Sequence, residues 1–474
     1  MKKSGWMAFY LFCSLMAVAQ DTHYGTHQFG TRSALLGGAV VGGVRDNSMI
    51  FYNPAAIAFI DTSSFSITAN IYQVENIRIQ NILTNEKEFR SLQLTAVPLL
   101  TSGQFKTKSK NIRISYGVFS PVAFQFRGLA RIEGEYEVVP DSESPGTETF
   151  VGDQNLFSRI REVNIAIGAS LKLNEQWSVG LTNMIDVRSH HYNRALFTHY
   201  FLHNSAQTLV NTSFTQSFNY YNIRYMPKVG IAYRGANWSW GATATAPGLR
   251  LLGTGAVGVD ILATNVKGGS AGRTTLFANG RQSGLKSYFK SPVSVATGIQ
   301  YQLGKTQVLF STQYFGKQKI YNQLKGEDVP FVRPEALYPL LDGDALLEVK
   351  TAARPVLNFA IGIEQELSKQ LSLNASIRNN QSYYDAQLLF QNGIKPDITT
   401  WDLYHLAGGV TMRKERSSMS LGLALGVGRD KNRIDQALPL PSETDFFKTP
   451  ITTTKGSYSS LGIIIGYNYF FKKG

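Results

Sequence analysis

The chain has 474 residues, a formal charge of +14, 43 glycines and one cysteine, Cys13. A lone cysteine inside an apolar leader leaves no disulfide framework and no thiol chemistry in the processed protein. Beyond that leader no run of about 18 apolar residues exists, so no transmembrane helix is available.

Residues 1–19 read as a secretory signal: Lys2 and Lys3, an apolar stretch from Trp6 to Met16, then Ala17-Val18-Ala19 as a small-residue cleavage site. The expected mature chain begins at Gln20. A basic excess on an exported protein suits nucleic acid, an acidic polymer or anionic headgroups. No aromatic-basic nucleic-acid module is present, so outer-membrane lipid or glycolipid at a barrel rim is the expected partner.

Residues 20–60 stand apart. Ala34-Leu35-Leu36-Gly37-Gly38-Ala39-Val40-Val41-Gly42-Gly43 is a run of small and apolar residues with no regular period, and Asp46, Asn47 and then Asn53-Pro54-Ala55 follow it. Small residues allow close backbone approach, and Asn-Pro fixes a turn. A compact irregular segment is expected here, ahead of residues 61–474.

From residue 64 the pattern changes to a period of two. Strands are expected near 64–76, 88–98, 110–126, 162–173, 176–190, 216–234, 237–246, 288–302, 305–317, 355–367, 370–384, 402–413, 417–428 and 458–471. In the last of these Leu461, Ile463, Ile465, Tyr467, Tyr469 and Phe471 share one parity, against Ser460, Gly462, Gly466 and Asn468 on the other. Short connections such as Asn174-Glu175, Gly235-Ala236 and Leu303-Gly304 alternate with long ones near 127–161, 191–215, 247–287, 318–354, 385–401 and 429–457. Tight turns at one end and long loops at the other predict an all-β, antiparallel transmembrane barrel of about fourteen strands with both termini in the periplasm. A barrel that wide is not filled by its own wall side chains. Residues 20–60 are therefore expected inside it as a plug.

At this point the sequence resembles the FadL/TodX family of outer-membrane transporters for hydrophobic compounds. The likeness rests on Gly37-Gly38-Ala39 through Asp46-Asn47 to Asn53-Pro54-Ala55, similar to that family's N-terminal hatch. Tyr116-Gly117-Val118-Phe119-Ser120-Pro121 looks like its third strand, and Pro227 with Gly230 and Tyr233, or Pro292 with Gly298 and Tyr301, give a looser match. The resemblance implies passive uptake in the outer membrane of a Gram-negative bacterium: capture among outer loops, a lumen pocket, and sideways exit at a kinked strand. Gly117 and Pro121 are the candidates for that strand, since proline removes a ladder donor. Leu249, Leu251, Leu252, Val257, Val259 and Ile261, in the connection 247–287, are the candidate capture residues. Long-chain fatty acids or aromatic hydrocarbons are the expected ligands, and the protein is expected to be a monomer without catalytic residues, metal or cofactor. The alternative is a FadL-like barrel acting as the surface scaffold of a protein secretion system; a polar porin is a third reading.

Other patterns are weaker. Gly253-Thr254-Gly255-Ala256-Val257-Gly258 spells a dinucleotide fingerprint, but the acidic residue required about 20 positions later is missing. His190, His191, His199 and His203 are expected to share an outer loop, with His199 and His203 at helical spacing but no glutamate beside them. Ser/His/Asp sets can be chosen freely from so many serines, so a phospholipase-type barrel has no support beyond its compartment.

Overall fold

The computed structural model describes residues 21–471, except for 26, 44, 61–62, 82–87, 106, 110, 140–141, 205, 268–271, 328–330, 335–344 and 437–450. The leader with Cys13, and Lys472-Lys473-Gly474, lie outside the described residues.

Fourteen antiparallel strands close into a barrel. In wall order they are β1 (Ser64–Gln80), β2 (Glu88–Phe105), β3 (Ile112–Tyr136), β4 (Glu148–Lys172), β5 (Trp177–Phe201), β6 (Leu209–Arg234) and β7 (Trp238–Thr245), followed by seven more. Two strands that leave the wall, β8 (Leu249–Lys267) and β9 (Arg273–Lys286), intervene in sequence before β10 (Ser294–Leu303) and β11 (Thr306–Phe315). After the short β12 (Gln318–Lys325), β13 (Phe331–Arg333) and β14 (Glu348–Ala353), the wall resumes with β15 (Val356–Ser368), β16 (Leu371–Asn380), β17 (Leu403–Lys414), β18 (Ser417–Gln436) and β19 (Ile451–Phe470). β19 pairs back onto β1, from Ser64 opposite Phe470 to Gln80 opposite Lys455.

Alternation sets the two faces of the wall. On β18, Met419, Leu421, Leu423, Leu425 and Val427 are exposed on the outer face, whereas Ser420 and Gly422 point inward and are buried. β19 follows the expected parity, and its exception, Ile464, packs inward on Ala34 and Leu35.

Strand extents differ from the sequence expectation. The stretches 127–161, 191–215 and 247–287 are largely strand, as are the described parts of 429–457: β3, β4, β5 and β6 run about 25 residues each, and β8 and β9 occupy most of 247–287. β8 continues the wall upward beside β6, from Leu249 opposite Tyr225 to Thr264 opposite Asn211. These upper halves carry their own apolar core, in which Phe89, Phe126, Phe218, Val259, Leu347 and Trp401 are buried. These upper halves lack the continuous outward apolar register that marks the lower halves.

Residues 21–60 form turns, one helical turn at Met49–Tyr52 and a 3-10 turn at Pro54–Phe59. Phe29, Leu36, Met49, Ile50 and Ile57 are buried in a second core with Leu100, Phe119, Met184, Met226 and Leu309 of the wall. Polar contacts reach β5, where Ser178 donates to the Ala55 carbonyl at 2.8 Å, and β16, where Ser376 donates to the Leu35 carbonyl at 2.9 Å.

Candidate functional site: an inner cavity at an interrupted seam

The N-terminal residues singled out from sequence act as its fasteners. Asp46 accepts from the amides of Arg32, Ser33 and Ser48 at 3.0–3.1 Å, so one carboxylate ties two turns together. Asn47 donates to Ser66 at 2.9 Å and accepts from Ser64 at 2.8 Å, holding the segment on β1. Asn53, fully buried, caps the 3-10 turn by accepting from the Ala55 amide. Its amide nitrogen donates to the carbonyls of Val41 and Ile231, each at 3.1 Å, bridging segment and β6. Pro54 occupies the first position of that turn, where its missing N–H costs nothing. Gly180 lets Pro54 and Ala55 approach: a Cβ there would sit 2.5 Å from their backbone.

The seam between β2 and β3 is interrupted. The two strands pair from Phe105 opposite Ile114 to Leu100 opposite Phe119. Above Phe119 no ladder joins them among the described residues, and on its other side β3 skips register against β4 between Phe119 and Val122, around Pro121. Higher up, side chains rejoin the edges: Gln125 donates to Gln93 at 3.4 Å, and the Arg127 amide donates to Ser91 at 3.1 Å. The result is a break in the β2–β3 ladder, a candidate window, with Leu100–Phe119 below it and Gln93–Gln125 above. Gly117 lies just below it, and a Cβ there would come 3.2 Å from Ile50.

An inner cavity reaches this window. Pro121 lines it, together with Phe51 and Tyr52 of the N-terminal segment, Met184 and Met226 of the wall, and the cation Lys228. Lys228 lies 4.7 Å from the Phe51 ring centre and donates to the Phe51 carbonyl. Glu162, Arg378, Asn164, Gln313 and Asn358 line it too, so the cavity surface is apolar and aromatic over its larger part but carries many polar groups.

The structure divides the proposed capture residues. Leu249, Leu251 and Leu252 are exposed on β8, whereas Val257, Val259 and Ile261 are buried in the upper core. None of the six stands on a loop, because β8 is held in register by β6 on one side and β9 on the other. Gly253–Gly258 likewise falls inside β8 rather than at a strand-to-helix turn. His190, His191 and His199 lie on β5, not on a loop or helix, and His190 is paired with Ser158 at 3.0 Å.

The structure superposes on the crystal structure of a Pseudomonas aeruginosa FadL homologue with a TM-score of 0.60, covering 95% of this chain and 100% of that one at 12% identity. The chain has the FadL-type fold. The Pseudomonas putida toluene transporter TodX matches with a TM-score of 0.56 at 14% identity, over 95% of this chain and 100% of that one. The Ralstonia pickettii toluene transporter TbuX gives 0.54 at 14% identity, over 94% and 99%. No family model matches the sequence, and a search of curated proteins finds no match.

Within this FadL-type barrel, sequence reading missed the buried charges. Arg32 meets Glu364 of β15 at 2.5 Å, and Arg413 of β17 meets the other oxygen of Glu364 at the same distance. Above them Arg188 pairs with Glu162 at 2.8 Å, and Arg224 contacts both Glu162 and Asp186. The Phe289 ring lies 3.9 Å from the Arg188 guanidinium and 4.6 Å from that of Arg224. For Glu162, Asp186, Arg188, Arg224, Glu364 and Arg413 the detectable signal was parity, since each falls on the inward register of its strand; Arg32 stands on a turn and carries no such signal.

Proposed function

We propose that this protein is a monomeric outer-membrane barrel of a Gram-negative bacterium that takes up hydrophobic small molecules passively. Residues 21–60 act as a hatch, fastened by Asp46, Asn47 and Asn53, and the window beside Pro121 is the sideways exit. The observation that carries this reading is the largely apolar inner cavity with Pro121 at its edge. A ligand there lies beside a stretch of wall without a ladder, so it leaves for the membrane without crossing water. Exposed Leu249, Leu251 and Leu252 offer first contact, while Val257, Val259 and Ile261 stiffen the extension that presents them. Long-chain fatty acids and aromatic hydrocarbons are the ligand classes to test; TodX and TbuX are toluene transporters.

The deciding experiment is equilibrium binding of a long-chain fatty acid and of toluene to the detergent-solubilised protein. Saturable binding of either, lost on Met184→Asp or Met226→Asp, supports uptake and selects the class. No saturable binding of either would transfer support to a surface role in handling exported proteins.

A further inference from the structure

Four neighbouring strands carry a row of cations on the outward face. Arg90 of β2 stands directly opposite Arg78 of β1, Arg78 opposite Ser457 of β19, and Ser457 opposite Arg429 of β18. Lys455 lies one outward position above Ser457, opposite Gln80. Arg90, Arg429 and Lys455 are exposed. Nε of Arg78 is shielded from water and has no hydrogen-bond partner. None of the four cations is ion-paired among the described residues. Like charges facing each other across a ladder destabilise the pairing, so Arg90 opposite Arg78 calls for a counter-charge.

What lies below the row fixes its setting. One outward position down come Leu92, Asn76, Ser459 and Val427; two down come Leu94, Val74, Leu461 and Leu425, all apolar and exposed. Arg429 is about twelve residues along β18 from its lower end at Ser417. At about 3.3 Å per residue and a tilt of about 40°, that is a climb of about 30 Å, just past an apolar band about 25 Å tall. The row therefore stands at headgroup height, with exposed Tyr404 beside it as an interfacial aromatic. A shallow groove runs along it, lined by Arg78, Arg354, Arg429 and Lys455. Two carboxylates also line the groove: Asp402, which is taken by Arg354 at 3.0 Å, and Asp430, which accepts from the Asn432 amide. The groove keeps a positive excess.

We infer that this groove, with Arg90 at its flank opposite Arg78, is a binding site for a phosphorylated lipid headgroup of the surrounding leaflet, with Arg78, Arg90 and Arg429 holding phosphate and the Leu94–Val74–Leu461–Leu425 row holding acyl chain. Guanidinium forks suit phosphate oxygens, and the adjoining apolar row distinguishes a lipid from a soluble anion. The inference rests on the membrane location proposed above but not on uptake.

The test is native mass spectrometry of the full-length protein, purified in detergent and titrated with a bisphosphorylated lipid A. The comparisons are the same lipid after phosphatase treatment and inorganic phosphate as competitor. Binding should fall about tenfold in the triple variant R78Q/R90Q/R429Q and stay unchanged in R281Q, which removes an exposed cation elsewhere. Removal of the lipid phosphates should mimic the triple variant. Equal binding by the triple variant, equal binding of the dephosphorylated lipid, or displacement by inorganic phosphate at low millimolar concentration would each overturn the assignment. Heat-modified gel migration checks that the variants remain closed barrels. Uptake assays failing while lipid binding persists would sink the transport reading alone, whereas recovery of the protein outside the membrane fraction would sink the location.

Discussion

Arg32 and Glu364 sit 2.5 Å apart, joining the N-terminal segment to β15 with both side chains almost wholly withdrawn from water. Arg32 also donates to Gln307 at 2.8 Å and to the Gly43 carbonyl at 3.2 Å. Removing Arg32 leaves Glu364 with Arg413 as its partner, so the loss is that of the Arg32 contacts, about 1.5–3 kcal/mol for a hydrogen bond to a charged group. Arg32→Ala should therefore loosen residues 21–60 without opening the barrel. Limited proteolysis followed by mass spectrometry should find new cuts in this segment while heat-modified migration persists. An unchanged cleavage pattern would mean that the apolar contacts alone hold it.

Gly180 has no room for a side chain, because Pro54 and Ala55 pass over it at backbone distance. Gly180→Val should displace the 3-10 turn and lose the Ser178–Ala55 hydrogen bond. Ser178→Ala, which removes the bond alone, should cost only about 1 kcal/mol. Hydrogen exchange across 49–60 separates the two: a large rise in G180V and a small one in S178A. Equal protection in both variants contradicts the close packing.

Acid and alkali should unseat the N-terminal segment for different reasons. Burial, with a smaller contribution from Arg378, lowers His27 to about 4, and burial lowers His23 to about 3. Both imidazoles are docked neutral and have ordinary values near 6.5 when released. Their contribution is full above 6.5 and is lost as pH falls from there, by about 1.4 kcal/mol per pH unit for each ring. Asp397 behaves oppositely: burial, then the charge of Asp21, pushes it up to about 8, so its contribution is present at low pH and lost as pH rises from about 4 to 8. Between 6.5 and 8 only the acidic groups act, and protection of residues 21–30 should decline. Asp397→Asn should shrink that alkaline decline, and H23Q/H27Q should abolish the acid one. Hydrogen exchange from pH 5 to 8 reads both slopes, and a flat profile in the native protein would contradict them.

The window can be shut. Gln93 and Gln125 already bridge its upper edge, and the expected mature chain has no native cysteine to interfere. A Gln93→Cys/Gln125→Cys disulfide should fix the two edges together, while Pro121→Ala restores an amide at the kink. Both changes should slow ligand release into liposomes several-fold with little effect on binding in detergent. Release at the native rate in the oxidised double variant would place the exit elsewhere.

The wall was legible wherever lipid contact enforces alternation. Met419 to Val427 and Leu461 to Phe471 announce their faces directly, and the count of fourteen strands follows from them. The upper halves were not legible: Glu148–Arg161 and Ser189–Phe201 touch protein or water on both faces, so no hydropathy pattern separates them from loop. β8 hid for the same reason, with exposed Leu249 and buried Val257 on one strand. Proline marked the interruption at Pro121 because its effect is local. Arg32 stands on a turn, 332 positions from Glu364, and has no local signature at all.

The pairing of Ser64 with Phe470 also has a consequence for assembly. One edge of the first strand stays bare until the final stretch of polypeptide has been delivered, so the cylinder is sealed last, at the meeting of the two ends. Residues 21–60 precede that first strand and touch staves all around the circumference, from Ile231 to Ser376. The closing seam and the segment inside it thus bind the same ring, one along its edge and the other across its interior.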